Sequence, residues 1–114
     1  MVEGYGVERN DREGCAVIAV EGEIDLMAAP RLREALVASV VEGHQRVVVD
    51  LTATEFLDST GLGALVAGLK RIRAHGGDMR VVCTSARVCK VFEITSLDKV
   101  LSLYDTVDEA CAGA

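Results

Sequence analysis

Between residues 15 and 24 the chain reads CAVIAVEGEI, an almost unbroken apolar run containing β-branched residues. A weakly patterned stretch at residues 2–10 precedes it, separated by a turn at Glu13 and Gly14. Two strands so close in sequence predict an antiparallel hairpin, with the first strand at an edge. The period then changes. Along residues 25–43 the positions Leu32, Ala35, Leu36, Ser39 and Val40 recur at helical spacing. Pro30 stands near the start of that helix, where a missing N–H is harmless, and Gly43 is placed to end it. RVVVDL, at 46–51, is apolar on both faces and reads as a buried parallel strand.

From Asp58 the helical period returns, with Leu62, Leu65, Val66, Leu69 and Ile72 on one face and a stop at Gly76 and Gly77. MRVVC, at 79–83, predicts another buried strand. Ser85 is positioned to cap a short helix carrying Val88, Val91 and Phe92, and a brief strand is expected over 100–104. The final element opens with Thr106 and Glu109 at capping-box spacing. The order is therefore β-β-α-β-α-β-α-β-α, an α/β fold whose crossovers imply a mostly parallel sheet made mixed by its leading hairpin. This pattern sets the order of elements along the chain, not the lateral order of the strands.

Composition narrows the class. The 114 residues are 50% hydrophobic and 26% charged, which is globular rather than disordered, and suit one domain spanning 1–114. A net charge of −6 argues against direct nucleic-acid binding. Charge is uneven: residues 1–25 hold seven acids against two arginines, whereas 70–90 hold six basic residues against Asp78. Such asymmetry suits a protein surface of two characters better than a polyanion site, and most of these charges read as the solvated faces of an ordinary domain. The four cysteines, at 15, 83, 89 and 111, show no C-x-x-C spacing, and His44 and His75 lie far from them in sequence. No metal site and no cofactor are expected. Cys15 and Cys83 fall in apolar runs, where a reduced cysteine acts as a small hydrophobe. With no signal pattern and no apolar run of membrane-spanning length, the expectation is a soluble cytoplasmic protein.

The candidate chemistry lies in FLDSTGLGAL, at 56–65, a helix start loaded with residues that helices disfavour. It follows a strand, at the end of the sheet where α/β proteins collect binding sites. Asp58 as N-cap would satisfy one or two of the first-turn N–H groups. Ser59 and Thr60 would then be free to face outward, and a phosphate on Ser59 would sit beside open N–H donors. Gly61 and Gly63 would let the backbone of another protein come close. Other uses fit poorly. There is no G-x-S-x-G elbow, no P-loop lysine, and no histidine placed as a general base.

The chain resembles the anti-sigma factor antagonists, single-domain proteins of the STAS class. The resemblance covers roughly residues 5–110. It rests on Gly22–Asp25 (GEID) followed by Ala29 and Pro30, on the VVVDL strand, and above all on DSTGLG at 58–63, with KRIRAHGG and VFEITSLDKV downstream. It implies a mixed sheet of four to five strands with about four helices packed mainly on one side.

For function it implies a non-enzymatic phospho-switch. Ser59 would be the phosphoacceptor, with Asp25, Asp58, Thr60, Gly61, Leu62 and Gly63 among the partner contacts. The partners implied are an anti-sigma factor that is also a serine kinase, and a serine phosphatase, with the chain itself a monomer or weak dimer. Asp25 reads equally as a helix-start acid. Thr60 stands where some relatives carry a second serine, and Ser96 where the family often has glycine. The alternative is a STAS-type scaffold or regulatory module of a larger signalling assembly that does not act on a sigma factor.

Overall fold

In a computed structural model that describes residues 5–12 and 14–112, the alternating pattern closes into one mixed sheet. β1 (Tyr5–Arg9) and β2 (Ala16–Ile24) pair antiparallel, as the leading hairpin predicts. Residues 2–4 of the expected first strand and Glu13 of its turn lie outside the described residues; Gly14 takes a positive φ of 77°. Helix α1 (Ala29–Val41) leads into β3 (Arg46–Asp50), then β4 (Thr54–Leu57) and α2 (Ser59–Ala74). β5 (Asp78–Val82), α3 (Ala86–Ile94), a 3-10 turn at Leu97–Lys99, β6 (Ser102–Tyr104) and α4 (Val107–Ala112) complete the order.

The described residues form six strands, one more than the four to five expected. Strands run β1-β2-β3-β5-β6, and every pairing except β1–β2 is parallel. The additional strand is β4. It pairs with the far end of β2, beyond where β3 leaves off, so β3 and β4 lie end to end along the same side of β2. A bulge between Gly22 and Glu23 adjusts the register, with Gly22 at φ 84° and its N–H donating to the Ala53 carbonyl. The buried Thr54 hydroxyl donates to the Val20 carbonyl at 2.7 Å and fixes β4 in place.

Three helices share one face of the sheet. Leu32 and Leu36 of α1, Leu65, Leu69 and Ile72 of α2, and Val88 and Phe92 of α3 bury against Ile18, Val47, Val49 and Val81. On α2 the expected Leu65, Leu69 and Ile72 are buried and Leu62 packs against the core, but Gly61, Ala64 and Gly68 are buried as well and Val66 is only half-buried. The small residues bring α2 close to α1, since a β-carbon at Gly68 would lie 2.5 Å from Leu36 Cδ1. On the opposite face α4 places Ala110 over Cys15, Val17, Val48 and Val82. Burying those large apolar side chains is worth roughly 1.5–3 kcal/mol each.

Helix ends largely follow their sequence signals. Gly43, with φ 87°, follows α1. Thr106 Oγ1 accepts the Glu109 N–H, one half of a capping box, and its hydroxyl donates to the Glu109 carboxylate. Ser85 departs from expectation: it occupies the N-cap of α3, but its hydroxyl caps nothing. Near the end of α1, Arg9 bridges Asp11 at 2.6 Å and Glu42 at 2.9 Å, with His44 beside them. Hydrogen bonds from Arg9 hold both carboxyls below their usual range. Asp11, Glu42 and His44 lie close enough together to suit a metal ion by distance. The Arg9 guanidinium already supplies the cation there.

Ser96 adopts φ 62°, ψ 16°, the left-handed conformation a glycine would take at lower cost. A side chain there costs about 1–2 kcal/mol, and a glycine would lose about 0.5–1 kcal/mol through its freer unfolded chain. Ser96→Gly is therefore expected to stabilise the fold by about 0.5–1 kcal/mol in urea unfolding. An unchanged or lower midpoint would show that the turn is not strained.

Candidate functional site

Ile24 and Leu57 are register partners in the parallel β2–β4 pair, so both strands finish at the same end of the sheet. The Asp58 N–H donates to the Ile24 carbonyl at 3.2 Å and joins the two exits. Asp25 and Asp58 are thus each the first residue past a paired strand end. Strand pairing brings together two acids that lie far apart in the sequence.

Each acid organises its own turn. Asp58 is the N-cap of α2, its Oδ1 accepting the N–H groups of Thr60 at 2.9 Å and Gly61 at 3.0 Å. Asp25 Oδ1 accepts the N–H groups of Met27 at 2.9 Å and Ala28 at 3.2 Å, ahead of α1. The helix-start reading of Asp25 is correct as local geometry. Its second oxygen remains available to other chemistry.

Ser59 is exposed at the first position of α2, and among the described residues its hydroxyl has no hydrogen-bond partner. Thr60 is half-buried and Leu62 partly buried. The expected bank of open N–H donors beside Ser59 is not there. Asp58 takes those of Thr60 and Gly61, and its carbonyl takes that of Leu62 at 3.0 Å, leaving the N–H of Ser59 itself. A charge on Ser59 would meet the helix dipole, worth about 0.3–1 kcal/mol, and the opposing Asp58 carboxylate.

The two glycines differ in kind. A β-carbon at Gly61 would lie 2.6 Å from Leu57 Cδ1, 2.7 Å from Ile24 Cγ2 and 3.0 Å from the Ile24 carbonyl oxygen. Gly61 is buried and serves internal packing, so the expectation that it makes room for another protein does not hold for its own position. Gly63 is exposed, with open space where a side chain would stand.

Two residues escaped the sequence reading. Leu26 and Met27 are 71% and 69% exposed, directly after Asp25. Their signal was an apolar pair outside the inward face of α1. Segments 21–28 and 52–63 also carry Glu21, Glu23, Asp25, Glu55 and Asp58 with no lysine or arginine. The site is thus acidic with an apolar spot. Lys70, Arg71 and Arg73 lie at the far end of α2, about 15–20 Å away at 1.5 Å per residue.

A STAS domain model matches residues 7–110. The chain belongs to the STAS domain family. This STAS domain is 35% identical over 103 residues to the anti-sigma-F factor antagonist RsfB of Mycobacterium tuberculosis, covering 90% of the chain and 84% of that protein. It is 35% identical over 92 residues to the anti-sigma-B factor antagonist of Listeria monocytogenes, covering 81% of each. Its fold matches the crystal structure of an anti-sigma factor antagonist from Mycobacterium paratuberculosis with a TM-score of 0.86 at 35% identity, over 95% of this chain and 92% of that one. Among the described residues no helix is long and apolar enough to cross a membrane.

The glycine contrast is directly testable. Gly61→Ala is expected to destabilise the STAS domain by about 1–3 kcal/mol through overpacking. Gly63→Ala should be neutral or stabilising by up to about 1 kcal/mol. Denaturant midpoints of the two variants that moved together would contradict the packing described for Gly61.

Proposed function

We propose that this STAS domain is an anti-sigma factor antagonist switched by phosphorylation of Ser59. Unphosphorylated, it binds an anti-sigma factor serine kinase in the cytoplasm and so releases a sigma factor; phosphorylated, it lets go. A serine phosphatase restores the binding form. The domain needs no cofactor of its own. The observation that carries this reading is the uncommitted, exposed Ser59 hydroxyl at the start of α2, with Asp58 already doing the capping. Phosphate can be added there without removing any hydrogen bond that holds the helix.

The partner surface proposed comprises Asp25, Asp58, Ser59, Thr60, Leu62 and Gly63, with exposed Leu26 and Met27 as its apolar part. Gly61 contributes from inside, by letting the helix start sit against Ile24 and Leu57. Phosphoserine adds about −1.5 to −2 charges in surroundings that are already acidic. Weakening a complex a hundredfold takes about 2.8 kcal/mol, and an unpaired charge buried in an interface costs about 2–5 kcal/mol. Charge at one residue therefore suffices, with no rearrangement of the sheet.

Ser59→Ala is expected to bind the kinase with near wild-type affinity and to take no phosphate at position 59. Ser59→Asp should bind at least tenfold more weakly by calorimetry. Phosphate transfer to Ser59→Ala at the wild-type yield, mapped to any residue including Thr60, would overturn the assignment.

A further inference from the structure

At the junction of β5 and α3 the chain doubles back, and the sulfurs of Cys83 and Cys89 lie 2.7 Å apart. Non-bonded carbon atoms rest at about 3.5–4.0 Å and sulfur is larger, so the two thiols are held in forced proximity. A disulfide bond is about 2.05 Å long, so the sulfurs need to close by less than about 1 Å. Cys83 directly follows β5 and is 4% exposed, whereas Cys89, on α3, is half-buried. Cys89 Sγ also lies 3.2 Å from the Cys83 carbonyl oxygen, which keeps it turned toward the strand end.

We propose that Cys83 and Cys89 are a modification site, a vicinal thiol pair that a peroxide oxidises reversibly to an intramolecular disulfide. The two residues have distinct parts. The sulfur of Cys89, the less buried of the two residues, attacks one peroxide oxygen as its thiolate. An S–O bond forms, the O–O bond breaks, and the departing hydroxide leaves as water with the proton that the thiol gave up. Cys83 then attacks the sulfenyl sulfur of Cys89. The S–S bond forms, the S–O bond breaks, and hydroxide leaves as water with the Cys83 proton. Each sulfur gives up one electron, and the peroxide takes both.

Burial, with the neighbouring Cys89 adding to it, pushes the Cys83 thiol up to about 12. A thiol held protonated makes a poor first nucleophile, so oxidation begins at Cys89. The buried Cys83 captures the sulfenic acid before further oxidation can make it irreversible. A low-molecular-weight dithiol regenerates both thiols by exchange. Because α3 packs against β4, the cross-link acts on an element that supports the strand leading into the Ser59 helix.

The test uses the full reduced chain exposed to hydrogen peroxide, followed by intact mass and peptide mapping. The expected product is lighter by two hydrogens, has free thiols reduced from four to two, and carries a Cys83–Cys89 linkage. Dithiothreitol should restore all four. A Cys15→Ser/Cys111→Ser variant should form the same linkage, and Cys83→Ser should leave a dimedone-trappable sulfenic acid on Cys89. Four surviving thiols, a linkage through Cys15 or Cys111, or accumulation of sulfinic acid at Cys89 in the wild type would each overturn the proposal. The wild-type and Cys15→Ser/Cys111→Ser results decide the matter even if Cys83→Ser fails to fold.

Discussion

The end of this protein that carries Ser59 depends on the parallel pairing of the last residues of β2 with β4. That pairing is short, running from Gly22 opposite Thr54 to Ile24 opposite Leu57 across a bulge. It rests on a buried hydroxyl contact from Thr54 to Val20 and on the Asp58 N–H meeting the Ile24 carbonyl. Without it, the Asp25 turn and the Ser59 helix would leave the sheet at unrelated places. With it, two acid-capped turns lie side by side and present Ser59, Leu26 and Met27 together at one end of the sheet. Gly61 completes the arrangement, because any side chain there would push α2 off both Ile24 and Leu57.

Division of labour between adjacent residues gives this end of the molecule its character. Asp58 bonds inward to the helix it caps, which leaves the next residue chemically idle and exposed. The same pattern appears at the glycines, where Gly61 serves packing and Gly63 leaves open space. Charge is divided over the length of α2, with acids around its start and Lys70, Arg71 and Arg73 near its end. A charge added at Ser59 therefore deepens an existing field and disrupts no salt bridge.

What could be read from the sequence follows physical range. The α1 face, the Asp58 cap, the Thr106 cap and the leading hairpin are local patterns, and each appeared where its period or spacing placed it. β4 was missed because TEFL is four residues long and half polar, and its identity as a strand comes from β2, 32 positions earlier (54 − 22). The inward face of α2 was read in part: Leu65, Leu69 and Ile72 are buried as expected, but glycine carries no hydrophobic signal, and Gly61, Ala64 and Gly68 also lie against the core. Ser85 has the right residue type for a cap but no hydrogen bond, which residue type alone does not decide. The Cys83–Cys89 contact has no motif spacing and arises because α3 folds back over the end of β5. Whole-chain resemblance supplied what local reasoning could not: the expectation that Asp25 and Ser59 belong to one surface.

The central claim of the proposal is that charge added at Ser59 suffices to release the partner. Its most direct test is calorimetric titration of the proposed kinase partner with two forms of the chain, one unphosphorylated and one fully phosphorylated at Ser59. The account predicts a loss of about a hundredfold, corresponding to about 2.8 kcal/mol, with the circular dichroism of the free chain unchanged. Equal affinity of the two forms would contradict it.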